Sequence, residues 1–168
     1  MIYKTSLDNL AKIVTVAVTL LFAFIIFGQF AFITDQGKAV PIYTTVLVLS
    51  IYVLTFVFSP INYEVLNECV IIHRPISNVT IYRNQIMSAT IITKKEIGWV
   101  LRVFGVGGLF GYYGKFTNFK MGSMMWYTTR RDNLVLIKTS NGKKIIISPD
   151  EPEKFVADMM KGINGLGI

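Results

Sequence analysis

The stretch IVTVAVTLLFAFIIFGQFAFIT, Ile13 to Thr34, runs for 22 residues without a charge. As a helix rising about 1.5 Å per residue it reaches roughly 33 Å, close to the ~30 Å hydrocarbon core of a bilayer. A second uncharged stretch of 25 residues, AVPIYTTVLVLSIYVLTFVFSPINY, follows from Ala39 to Tyr63. Only Asp35-Gln36-Gly37-Lys38 separates the two, so helices formed here are antiparallel neighbours. A cleaved leader is the competing reading of the first stretch. Its apolar run exceeds the usual ~7–15 residues, however, and a second span follows at once. Pro41 falls in the first turn of the second helix, where a missing N–H is harmless, and Pro60 closes it. The expectation is a transmembrane helical hairpin over residues 1–63, with spans near 13–34 and 39–61. Within the spans Gln29 is the one strongly polar side chain; it either bonds across the hairpin or is an ordinary structural amide.

Flanking charge orients such a hairpin. Lys4 and Lys12 precede it, and Arg74 and Arg83 follow it, against a single Lys38 offset by Asp35 in the turn. This asymmetry places both termini in the cytoplasm. Tyr43, Tyr52 and Tyr63 supply amphipathic rings, and those near the span ends suit the interface.

The rest of the chain is of another kind. Hydrophobic residues make up 52% of the sequence and charged residues 16%, against about 25% charged in soluble proteins, and the excess is concentrated before Tyr63. From Glu64 onward there are 14 Lys and Arg against 8 Asp and Glu, which is +6 of the net +7. Such a surface suits lipid headgroups, RNA or acidic proteins, or serves only to keep the domain solvated. The lone Cys69 excludes an intramolecular disulfide. His73, the only histidine, has no Cys, Asp or Glu at ligand spacing, and no carboxylate cluster replaces it, so no metal or other cofactor is expected.

Past Tyr63, β-type runs alternate with turn residues. Val65, Cys69–Arg74, Val79–Tyr82, Ile86–Thr93, Trp99–Phe104, Phe116–Thr128, Asn133–Lys138 and Lys144–Ser148 are β-branched or aromatic in character. In the long run, Phe119, Met121, Met125 and Tyr127 share one face, opposite Lys120. Asn141-Gly142 is the clearest hairpin signal. At the end Asp150 is expected to cap a helix, with Pro152 in the first turn and Glu153 at capping-box spacing. Phe155, Val156, Met159, Met160 and Ile163 then recur at helical spacing, and Gly162 marks a terminator. About seven strands and one amphipathic helix predict a small sandwich or barrel over residues 64–168, closed by that helix.

The run FGVGGLFGYYGKF (Phe104–Phe116), followed by MMWYTT, NLVLI and SPDEPEKFV, resembles the bacterial pleckstrin-homology-like domain family over roughly Asn62–Ile163. Members often carry two N-terminal transmembrane helices. The resemblance implies a PH-like fold, a bent seven-stranded β-sandwich capped by a C-terminal helix, with no catalytic residues. It also implies a multi-pass protein of the bacterial inner membrane, and such domains can self-associate.

Gly114-Lys115 lacks the glycine five residues earlier (Leu109) and the following Ser or Thr (Phe116) of a phosphate loop. A dinucleotide fingerprint starting at Gly105 fails at Phe110 and lacks its helix. The glycine run is therefore expected to be a flexible or sharply turned connection between strands. Its Leu109, Phe110, Tyr112 and Tyr113 either fold back onto the core or reach a membrane surface or partner. The doublets Lys94-Lys95, Arg130-Arg131 and Lys143-Lys144 near strand ends are the candidate anionic-surface contacts, each basic residue near an anionic leaflet contributing about 1 kcal/mol. PH domains that bind phosphoinositides place a basic pattern in their first hairpin, where this chain has only Arg74 and Arg83. Cys69 and His73 would lie about 13 Å apart on one strand face, too far for a thiolate–imidazole pair.

The expected function is a non-catalytic interaction or scaffold module, held at the cytoplasmic membrane surface, that binds a lipid surface, a membrane protein or its own copies. The alternative is an accessory subunit of a membrane transporter or enzyme complex. Nucleic acid is not expected, since the chain is tethered and carries no recognised motif. On this reading residues 64–168 alone should fold as a soluble fragment.

Overall fold

The computed structural model describes residues 1–31 and 39–164. The expected turn Asp35–Lys38, the end of the first span and the side chain of Ile163 lie outside the described residues. Two long apolar helices, α1 (Asn9–Ala31) and α2 (Ala39–Val57), are each long and apolar enough to cross a membrane. They run antiparallel: Thr44 on α2 donates to Gln29 Oε1 on α1, and the Thr19 and Tyr52 hydroxyls meet at 2.8 Å. Gln29 thus bonds across the pair, as its isolation in an apolar helix requires. Elsewhere their outward side chains, such as Phe24, Phe27 and Leu47, are exposed.

Among the described residues, ten strands precede or follow them in two sheets. One sheet has the order β1-β2-β3-β4 (Ile2–Lys4, Asn62–Val65, Cys69–His73, Val79–Tyr82). The other has the order β5-β9-β10-β8-β7-β6 (β5 Ile86–Ile92, β6 Leu101–Gly108, β7 Gly111–Asn118, β8 Gly122–Thr128, β9 Leu134–Thr139, β10 Lys144–Ile147). A short helix α3 (Lys94–Ile97) follows β5, and α4 (Pro152–Asn164) ends the described chain. With two sheets and a closing helix this is the expected sandwich.

Alternation along the strands builds two cores. Val135, Ile137, Ile145 and Ile147 face the four-stranded sheet and α4, meeting Tyr63, Val70, Ile72, Phe155 and Met159. Leu134, Leu136 and Ile146 point to the opposite face with Tyr112, Phe116, Met124 and Trp126, covered by Ile97 of α3 and by Leu7 and Ala11 at the foot of α1. A sheet buried on both faces explains why these strands read as unbroken apolar runs.

One strand beyond the expected count comes from a local turn. Asn118 turns the chain: its Oδ1 accepts the Met121 N–H at 2.6 Å and its Nδ2 donates to the Ile97 carbonyl at 2.7 Å. The expected continuous run Phe116–Thr128 is therefore two strands, and Phe119, expected to share a face with Met125, is fully exposed at the turn. The Asn141-Gly142 hairpin forms as expected, with Gly142 at φ 76°.

Two expectations about α4 change. Helix α4 begins at Pro152 and continues through Gly162 to Asn164. Asp150 does not cap it. Its carboxylate instead accepts from the Ser6 N–H (3.0 Å) and hydroxyl (2.7 Å) and from Arg130 (3.1 Å). Burial pushes this carboxyl up, but the bonds from Ser6 and Arg130 together outweigh that and hold it below the usual carboxylate range.

The larger departure concerns residues 1–8, expected to belong with the hairpin. Ile2–Lys4 is a strand of the first sheet, paired with Asn62–Glu64 of β2. The Tyr3 ring is buried 5.2 Å from Phe155, edge to face, and its hydroxyl donates to Asp158, so burial and that carboxylate push its phenol to about 12. The helix pair is thus an insertion between two hydrogen-bonded strands of one sheet, which short-range sequence patterns do not reveal.

Two predictions follow from this topology. Residues 64–168 alone lose β1, half of β2 and the buried Tyr3 and Tyr63. Each large buried aromatic contributes about 3–5 kcal/mol, so the fragment should unfold well below a chain in which residues 9–57 are replaced by about ten Gly/Ser residues. Thermal melts of the two decide. Asp150→Asn should cost about 1 kcal/mol at neutral pH. Because the folded pKa is depressed, the stabilisation is fully present above the unfolded value of about 3.9. It is lost as pH falls through the folded value, so the gap between variant and parent should close in acid denaturant melts.

Candidate functional site

The glycine run is a β-hairpin, not a loop. Gly105 faces Gly114 and Gly108 faces Gly111 across β6 and β7. At Gly105 and Gly114 the backbone has φ 120° and 121°, and a Cβ at either would strike the other strand's main chain. Only glycine permits this approach. Leu109 and Phe110 alone form the turn, and both are half-buried. Tyr112 and Tyr113 are buried strand residues whose rings go to opposite faces.

The hairpin tip is gripped by both long helices. The Phe110 N–H donates to Thr15 Oγ1 of α1 at 3.0 Å. Its ring stands edge to face with Tyr52 (5.1 Å) and Phe56 (5.3 Å) of α2. Tyr113 donates to the Thr55 carbonyl, one of the acceptors left open at the end of α2, and burial pushes its phenol up. Phe110 holds φ 57°, a conformation costly for an aromatic residue, which these contacts offset.

Asp8 fixes the other side of the joint. Its Oδ1 accepts the Ala11 N–H at 2.7 Å, capping α1. The same carboxylate accepts from Tyr112 Oη (3.1 Å) and the Arg131 N–H (3.3 Å). The Arg131 guanidinium covers the Tyr112 ring at 5.0 Å. Burial, then the Asp8 charge, push the Tyr112 phenol to about 12. An Asp just before an apolar helical run is a cap signal that the sequence offers and the expectations above did not use; its reach to β7 leaves no such signal.

The six basic candidates do not form one patch. Arg130 takes Asp132 with Nε and Nη2 (2.5 and 3.1 Å) as well as Asp150, and Lys144 donates to the Met121 carbonyl. Lys95 and Lys143 are exposed. Lys94 and Arg131 meet, with Arg102, at one cavity of about 460 Å³. Lys143 and Lys144 line another of about 480 Å³ with Lys115. A third hollow, about 760 Å³ and mostly apolar, lies between Leu54 of α2, Phe58 just after it and the Phe104–Tyr113 face of the hairpin, with Arg74 and Lys115 on its walls. Arg102 and Lys115 stand singly in apolar strands, so no charge run marks them in the sequence.

The first-hairpin arginines are engaged internally. Arg83 is buried and donates to the carbonyls of Leu66 (2.8 Å), Met159 (2.5 Å) and Asp158 (3.3 Å). Arg74 bonds Ser77 and lies over the rings of Phe58 and Tyr127. His73 does have an acidic neighbour, Glu64 across the β2–β3 pair at 2.9 Å, nine residues away in sequence. Among the described residues no three of His, Cys, Asp and Glu gather in a way that could hold a metal ion.

If the tip couples the two parts, Phe110→Ala should cost about 1–3 kcal/mol. Amide exchange should speed up at Gly108–Gly111 and around Thr15, with little change in β9 and β10. Uniform acceleration across the domain would contradict the assignment of Phe110 to the joint.

Searches of curated proteins and of solved structures returned no match. Comparison with protein families matches residues 61–163, from the last residue before β2 into α4, to one described as a bacterial PH domain. The matched segment covers more than half of the chain and coincides with the sandwich and its closing helix; the strand β1 and the helix pair lie before it. Domains of the PH kind are generally non-catalytic. The chain belongs to the bacterial PH domain family.

Proposed function

We propose that this protein is a membrane-anchored, non-catalytic interaction module, whose helix pair spans the bacterial cell membrane and holds the PH-like domain against its cytoplasmic face. The carrying observation is the joint. Two apolar helices with uncovered outward faces leave and re-enter the same sheet, and the β6–β7 tip is seated on both. A domain fixed at three points to its anchor is presented in one orientation, which suits recognition at a surface.

The flanking basic residues support cytoplasmic termini. A protein partner is supported by β6, the outer strand of the six-stranded sheet, where Leu101, Val103 and Phe104 are exposed. An open apolar edge invites strand addition by a partner or by a second copy.

The test uses a Cys69→Ser background with Lys143→Cys in the exposed β9–β10 turn. The protein is expected in the carbonate-resistant membrane fraction, with the new thiol reacting with an impermeant maleimide only after permeabilisation. Recovery in the soluble fraction would remove the anchor from the proposal. Labelling in intact cells would reverse its orientation.

A further inference from the structure

The cavity of about 460 Å³ beside α3 has features that neither the fold nor the joint uses. Three cations from three separate elements line it: Lys94 from α3, Arg102 from β6 and Arg131 from the β8–β9 connection. Among the described residues, the Lys94 and Arg102 side chains make no hydrogen bond or ion pair. The Arg102 guanidinium lies over Gly107, where a Cβ would come within 2.9 Å of Nη1, so the bare backbone there gives it room. Arg131 has its Nε buried without a hydrogen-bond acceptor.

The second observation is a donor without a partner. Trp126 lines the same cavity, is 4% exposed, and its indole N–H has no acceptor among the described residues. A buried donor left unmade costs about 1–3 kcal/mol, so its place in the wall of a cationic cavity is informative. The carboxylates nearby are already engaged. Asp8, 3.9 Å from Arg131 Nε, accepts from Ala11, Tyr112 and the Arg131 N–H, and Asp132 is held by Arg130. Glu96, beside Lys94 in sequence, is turned back onto the Thr93 N–H at 2.6 Å. The remaining walls are flat rings and aliphatic groups, including Trp99, Tyr112 and Phe116.

We propose that this cavity is a binding site for an anionic phosphate ester with a flat or apolar organic part, its phosphate held by Lys94, Arg102 and Arg131 and its organic part against the rings. The cavity shares a core with Leu7 and Ala11 at the foot of α1. Two sources therefore present that chemistry, an anionic lipid headgroup or a soluble ester. The site is separate from Arg74 and Arg83 of the first hairpin, which are engaged internally. Its soluble arm does not depend on the membrane reading.

Both tryptophans of the chain, Trp99 and Trp126, line the cavity, so intrinsic fluorescence reads its occupancy. Full-length protein in maltoside micelles, which carry no phosphate, is titrated with phenyl phosphate. In parallel, emission is compared in nanodiscs of phosphatidylglycerol and phosphatidylcholine. Lys94→Gln, Arg102→Gln and the double variant replace exposed side chains without internal partners, and circular dichroism checks their folding. A saturable phenyl phosphate response, weakened roughly tenfold or more by each substitution, supports the site with a soluble source. A shift only in phosphatidylglycerol discs, lost in the variants, supports it with lipid as the source. Silence in both arms overturns the proposal, as does a response that the folded variants leave unchanged.

Discussion

The pairing of β1 with β2 governs the rest of the molecule. These two strands are neighbours in one sheet, yet the chain between them is the whole helix pair. Both ends of that pair are therefore tied to the same hydrogen-bonded ladder, on which the Tyr3, Tyr63 and Phe155 rings pack. A hinge between anchor and domain would need one free connection, and there is none at either end. Asp8 caps α1 while accepting from β7, so the first turn of the helix and the sheet share a carboxylate.

The glycine-rich hairpin completes the joint from the opposite side. Bare backbone at Gly105 and Gly114 lets β6 and β7 approach at angles other residues cannot adopt. That carries Phe110 between Tyr52 and Phe56. The hairpin also divides what lies beside it: one face looks onto the cationic cavity with Arg102, the other onto the apolar hollow beside α2. A motif that fails every phosphate-loop test in sequence thus still shapes one wall of an anion-suited cavity, through side chains from other elements.

The family resemblance accounts for the sandwich and α4 but not for how they meet the helices. The matched segment begins at residue 61, after α2. The contacts that orient the domain, from Tyr3, Asp8, Thr15, Tyr52 and Phe56, all come from residues before it. Non-catalytic character belongs to the family in general; the contacts with the helices come from outside the matched segment, whereas the cationic cavity lies within it.

Much of the architecture was legible because its causes are local. Uncharged runs of membrane length, Pro41 and Pro60 at helix ends, Asn141-Gly142 and the helical spacing of Phe155 and Met159 depend on residues close in sequence. The capping pattern at Asp150 is real but its carboxylate has a stronger use: the Ser6 N–H and hydroxyl and the Arg130 guanidinium compete with helix N–H groups, and only the fold brings Ser6 there. Arg83 likewise reads as surface charge until the carbonyls of α4 are placed over it. The sequence by itself determined the two apolar helices, the β-rich domain and its closing helix, since hydrophobic length and periodicity are properties of neighbouring residues. The tertiary structure alone decided that the helices sit inside a β-hairpin and that Lys94, Arg102 and Arg131 converge, because strand pairing joins residues whose separation along the chain leaves no periodic trace.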